Sequence, residues 1–161
     1  MTLPSRRLAD LGLSLPAVPV PVAEYVPAVR FEDVVYTAGQ VPLVDGTLRA
    51  VGKVGADVSV DDAIDCARIA ALNGLAAVVD LTGDLDVIMR IIKVVVYVAS
   101  TSDFTDQPLV ANGASRLLGD IFGAAGRHAR SAVGVAVLPL DAPVEVELVV
   151  SVGSTPTIVP L

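Results

Sequence analysis

Residues 144–152 read Val-Glu-Val-Glu-Leu-Val-Val-Ser-Val, which starts as strict alternation of apolar and polar positions. That period predicts a strand with Glu145 and Glu147 on one face. Residues 91–99 form a β-branched run with Lys93 near its start and predict a central strand. Residues 26–31 and 34–38 predict a hairpin turning through Glu32 and Asp33, and residues 131–138 a further strand. Asp45-Gly46 marks a turn, with a short strand expected over residues 49–54.

Two stretches carry the helical period. Over residues 59–83, Ala63, Ala67, Ala70 and Gly74 make a small-residue stripe beside an apolar one of Ile64, Ala71, Leu75 and Val78. Ser59 is placed to cap this helix, Asp62 holds the reciprocal capping-box position, and Gly83 can end it. A second helix is predicted over residues 109–124, with Leu117, Leu118, Ile121 and Phe122 as its apolar face. At the start, residues 5–12 suggest a short amphipathic helix with Leu8 and Leu11 on one face. A proline-broken extended segment follows over residues 15–22. Residues 155–161 read as a tail. The order predicts one α+β domain over residues 1–161, with a mixed sheet packed on two long helices. Residues 1–22 form its N-terminal helix and Pro-rich arm, and residues 153–161 lie beyond its last strand.

Composition narrows what fills that frame. Hydrophobic residues make up 53% of the chain and aromatics only 4%, so Val, Ala, Leu and Ile must build the core. Mean hydropathy is +0.70. The longest uncharged stretches (residues 11–23, 69–79 and 148–161) are broken by proline or too short for the roughly 20 apolar residues of a span. The apolar excess points instead to strands buried on both faces, or to a subunit interface. The N-terminus carries charge but no apolar run leading to a cleavage site, and Cys66 has no internal disulfide partner, so the expected compartment is the cytoplasm. Cys66 itself reads as a buried thiol.

Net charge is -7, and Arg6-Arg7 is the only adjacent basic pair. Nucleic-acid affinity rests on clustered positive charge, so an RNA or DNA partner is not expected. One Cys and one His make no zinc set of the usual kind, and Gly52-Lys53-Val54-Gly55 lacks the spacing of a phosphate loop; no metal or cofactor is expected.

Three blocks carry a resemblance. Glu24-Tyr25-Val26-Pro27 precedes Thr37-Ala38-Gly39-Gln40-Val41-Pro42. Lys93-Val94-Val95-Val96-Tyr97-Val98 precedes Asp103-Phe104. Ala129-Arg130-Ser131-Ala132-Val133 is followed by Leu138-Pro139 and then Val144-Glu145-Val146-Glu147. Over residues 22–152 the chain resembles the RidA/YjgF/YER057c/UK114 family, most specifically in its C-terminal ARSxVxVxxLPxxxxVEIE signature. The N-terminal helix and arm resemble a longer branch of that family.

The resemblance implies a chorismate-mutase-like fold and a homotrimer with inter-subunit clefts. It implies cofactor-free hydrolysis of 2-imino or 2-enamino acids to 2-oxo acids. Arg130 would clamp the carboxylate of a small metabolite, since a guanidinium matches a carboxylate with two parallel hydrogen bonds. Glu147 would hold or polarise the attacking water. Tyr25, Gly39, Asn112 and Ser131 would line the substrate site, with Glu145 structural. Familiar short members carry Cys where this chain has Ala132; water can attack an electrophilic imine without that thiol. The alternative is a non-catalytic sensor of small carboxylates such as 2-oxo acids. A ribonuclease or translation-inhibitor role sits poorly with the acidic charge, and chorismate mutase chemistry would rest on fold analogy alone. His128 is expected in a solvent-exposed loop.

Overall fold

The structure, a computed structural model, describes residues 2–18 and 24–153. Residues 19–22 of the predicted arm and the tail over residues 155–161 lie outside the described residues. Strands β1 (Ala28–Phe31) and β2 (Val34–Thr37) form the predicted hairpin, with Glu32 at φ 52° in its turn. A small separate hairpin, β3 (Leu43–Val44) and β4 (Thr47–Leu48), replaces the strand expected at residues 49–54. The reason is local. Asp45 and Gly46 both take positive φ, so a two-residue turn pairs the chain at once and leaves residues 49–53 outside any strand.

Helix α2 (Val60–Thr82) starts at Ser59, whose hydroxyl accepts from the Asp62 N–H, and ends at Gly83 with φ 84°. The expected capping box is only half made: Asp62 takes the Ser59 hydroxyl at 2.7 Å, since its side chain is too short to reach back to the backbone. Strand β5 (Ile88–Ala99), helix α3 (Gln107–Phe122), strand β6 (Ala129–Val135) and strand β7 (Val144–Val152) complete the main elements. Helix α3 and strand β6 each begin two residues before their predicted starts.

The sheet order is β1-β2-β7-β5-β6. All neighbours are antiparallel except β5 and β6. Every second residue of β7 is buried, from Val144 to Val152, on the side that packs against α2. The register with β5 shifts at Met89 and Ile92, so two extra residues bulge from β5 while Ile91 and Val94 stay in the core. The opposite face of the sheet has no covering layer in the described chain. Val29, Phe31, Tyr36 and Val133 stand exposed there beside the half-buried Val95, Tyr97, Glu145 and Glu147.

The two long helices approach closely through small residues. Ala63, Ala67 and Ala70 of α2 and Ala111 and Ala114 of α3 are all buried. At Gly113 the fit is tightest: a Cβ would run into the Ile64 carbonyl of α2. Cys66 is fully buried beside this seam, and loss of solvent pushes its thiol up to about 11, which leaves it unreactive at neutral pH. A short helix, α1 (Pro4–Asp10), lies against α3 through Leu8, and Ser5 ties it to Asp86 with two hydrogen bonds. Leu11, expected to share the buried face, is 46% exposed because the helix stops at Asp10. Among the described residues, no helix is long and apolar enough to cross a membrane.

Two glycines of α3 separate packing from propensity. Gly113→Ala should lower stability by about 1–3 kcal/mol, because the methyl must push two helices apart. Gly119→Ala, where a Cβ meets nothing, should raise it by up to ~1 kcal/mol through helix propensity alone. Urea unfolding of both variants checks this; equal effects would deny that the α2–α3 seam is close-packed.

Candidate functional site

Arg130 lies near the start of β6, opposite Val94 of β5, and so shares the helix-covered side of the sheet. β6 is an edge strand, which leaves the guanidinium at the rim rather than in the core. There α3 passes with Asn112 and Ser115 on one flank, three residues apart and hence on one face. Arg130 Nη1 donates to Asn112 Oδ1 at 2.9 Å and to Ser115 Oγ at 3.1 Å. A guanidinium carries five N–H donors, two of them on Nη1. These two bonds therefore fix the plane of the group and leave its Nε and Nη2 edge for a ligand. Among the described residues Arg130 has no carboxylate partner.

A hollow of about 340 Å³ opens beside it, walled by Ser115, Gly119, Gly126, Arg127, His128 and Arg130. Among the described residues no carboxylate lines it. His128 is not the exposed loop histidine expected from sequence. It is half-buried, with Nδ1 2.6 Å from the Gly126 carbonyl and Nε2 3.0 Å from Ser115 Oγ. The preceding turn (Gly123–Gly126) folds back against α3 and carries the histidine inward. Ser115 and His128 thus join the site although sequence gave no reason to choose Ser115. The available signal was spacing: Ser115 lies one turn after Asn112, and His128 lies two residues before Arg130.

The other candidates stand elsewhere. Ser131, next to Arg130, points to the uncovered face beside Val95. Ala132 returns to the helix side and packs on the core. Glu147 is also on the uncovered face and accepts a hydrogen bond from the Tyr97 hydroxyl at 3.2 Å. Glu145 stands two residues away on that face, and its carboxylate occupies the space a side chain at Gly39 would need. Gly39 follows β2, where the Ala38 N–H bonds the Pro27 carbonyl and Gln40 pairs with Val146. Tyr25, exposed two residues before Pro27, belongs to this end of the hairpin. So one chain brings Arg130 to Asn112 and Gly39 to Glu145. It keeps these two groups on opposite faces of the sheet.

The carboxylate face has its own electrostatics. Burial pushes the Glu145 carboxyl above its usual range, and the nearby Glu147 charge adds to the effect. Desolvation, then Glu147, raises the Tyr97 phenol in turn. A carboxyl raised in the folded state favours folding while it holds its proton, and that contribution is lost as pH rises through the folded value. Glu145→Gln, neutral at every pH, should therefore raise the urea midpoint at pH 7. The gain should shrink as the pH falls into the range where wild-type Glu145 is itself protonated. An unchanged midpoint at pH 7 would mean the charge finds compensation on that face.

Comparison with known proteins places the chain in a family. Residues 5–152 match the family described as YjgF/chorismate mutase-like and, provisionally, as endoribonuclease. Protein TCP17 of Trypanosoma cruzi is 40% identical over 148 residues, spanning 91% of this chain and 92% of that protein. The solved structure of Atu1372 from Agrobacterium tumefaciens, a protein of unknown function, has TM-score 0.86 at 42% identity and covers 93% of this chain and 92% of that one. The structure of TdcF from E. coli, which holds bound serine, has TM-score 0.59 at 28% identity over 85% of this chain and 94% of TdcF.

Proposed function

From the premise that this chain belongs to the YjgF/chorismate mutase-like family, we propose that it hydrolyses small 2-imino or 2-enamino acids to 2-oxo acids in a cleft between subunits of a homotrimer. The observation that carries the reading is Arg130. Asn112 and Ser115 hold one nitrogen of its guanidinium, Arg130 lines a hollow, and among the described residues no acid lines that hollow. The Nε and Nη2 edge takes a substrate carboxylate through two parallel, charge-assisted bonds. Anchoring the carboxylate fixes the adjacent imine carbon for attack by water. TdcF, whose structure holds an amino acid, supports a ligand of this size and charge.

The facing of the candidates supports an inter-subunit site. Arg130 and Glu147 lie on opposite sides of one sheet, so one copy cannot place both on one imine. A neighbouring copy can. Its uncovered face carries Glu147, Glu145, Tyr97 and Gly39 beside exposed Val29, Phe31 and Tyr36, an apolar surface suited to burial between subunits. Glu147 of that copy holds the attacking water by accepting one of its hydrogen bonds. Tyr25 and Ser131 border the cleft. Imine hydrolysis needs no nucleophilic side chain, which accommodates Ala132. The endoribonuclease label in the family description finds little support in a chain with 11 basic and 18 acidic residues.

The test is decay of 2-aminoacrylate generated by an amino-acid dehydratase, with survivors trapped by semicarbazide. Wild type should clear the intermediate. Arg130→Ala should lose turnover, and Arg130→Lys should fall at least about tenfold, the loss expected when one charge-assisted bond of a bidentate pair disappears. Binding of pyruvate by wild type without any turnover would favour the carboxylate-sensor role instead.

Assembly gives a separate prediction. Wild type should sediment at the mass of three chains. Arg130→Ala and Glu147→Ala should each be inactive alone, yet recover part of the activity when co-assembled, since some clefts then carry both side chains. No recovery in a mixed trimer would place the site within one chain.

A further inference from the structure

Ser115 and His128 share a hydrogen bond that neither the fold nor carboxylate binding requires. His128 Nδ1 lies 2.6 Å from the Gly126 carbonyl, a group that can only accept. The proton of a neutral imidazole is therefore on Nδ1, and Nε2 presents its lone pair to Ser115 Oγ at 3.0 Å. Ser115 donates its hydroxyl proton to His128 while its oxygen accepts from Arg130 Nη1 at 3.1 Å. A hydroxyl, a base and a group orienting the base thus stand in line, as in sites that activate oxygen for attack on an electrophilic carbon. All three lie in the wall of the hollow that Arg130 opens.

We infer that Ser115 and His128 form the proton relay of the imine hydrolysis, an assignment that rests on the carboxylate-site reading above. With the substrate carboxylate on Arg130, the iminium carbon gains the water oxygen and the C=N π pair moves to nitrogen. The water's proton passes through Ser115 Oγ to His128 Nε2. It returns by the same path to the amino nitrogen, and the C–N bond breaks. The departing ammonia takes the remaining hydroxyl proton as ammonium, leaving the 2-oxo acid. Ser115 and His128 share with Arg130 the wall of the hollow into which the anchored substrate would extend.

Arg127 and Arg130 share the hollow's wall with His128, and Arg90 donates to the Arg127 carbonyl at 3.4 Å. From α3 the wall receives Ser115 and Gly119, and among the described residues no acidic side chain lines the hollow.

The experiment combines kinetics with one spectroscopic reading. Because His128 is the only histidine, imidazole ¹⁵N resonances report it without assignment, and the relay requires the Nδ1–H tautomer at neutral pH. Ser115→Ala and His128→Gln should lower kcat for 2-aminoacrylate about 100-fold, in the usual range for general acid–base groups. Pyruvate affinity of His128→Gln measured by calorimetry should stay within about twofold, and a cooperative urea transition shows that both variants fold. Ser115→Thr, which keeps the hydroxyl, should recover most of the rate. The pH profile of wild-type kcat should lose its acid-side limb in His128→Gln. Wild type that clears 2-aminoacrylate alongside variants of equal kcat overturns the relay alone. The Nε2–H tautomer does the same. Wild type without turnover overturns the hydrolytic reading and the relay with it.

Discussion

Gly113 lets α3 lie directly against the Ile64 carbonyl of α2, and that approach sets the height of α3 above the parallel pair β5 and β6. The buried flank of α3 (Val110, Ala114, Leu117, Leu118 and Ile121) is committed to the core. Its rim flank then falls beside β6, where Asn112 and Ser115 reach Arg130. A bulkier residue at position 113 would lift the helix and open both hydrogen bonds. The orientation of the guanidinium is thus a consequence of helix packing, carried to the rim by two polar side chains.

The sheet adds a second constraint. With helices on one face only, every strand residue is assigned to a core side or an uncovered side, and the period of two leaves no choice. Arg130 and Ala132 fall on one side, Ser131 and Val133 on the other, while Glu145 and Glu147 share the uncovered face with Tyr97. Two side-chain clusters result, one basic and one acidic, back to back across a single sheet. The proposed hydrolysis would need both on one substrate, and under that proposal copies must meet front to back.

Much of this was legible in the chain. The β7 alternation, the long β5 run and the Ser59 and Gly83 limits of α2 all appear in the structure, because each rests on a local rule. Local rules also explain the departures. The Asp45-Gly46 turn formed a two-residue hairpin and displaced the strand expected after it, and α1 ended before Leu11 could be buried. The residue types of the candidate site were equally visible, since Arg130 sits in a specific signature and Glu147 in a clean strand.

Sequence by itself determined the types of the main elements, the α+β class, the family and the alternation of faces within each strand, since these follow from periodicity, caps and motif spacing along one stretch of chain. Tertiary structure alone decided which of those residues meet. Ser115 and Asn112 sit beside Arg130, and the Gly123–Gly126 turn carries His128 onto Ser115, only because α3 packs against β6 at the distance the α2 seam permits. The separation of Arg130 from Glu147 belongs to the same level. It depends on which face the helices cover, and that is settled by the packing of distant segments rather than by any local pattern.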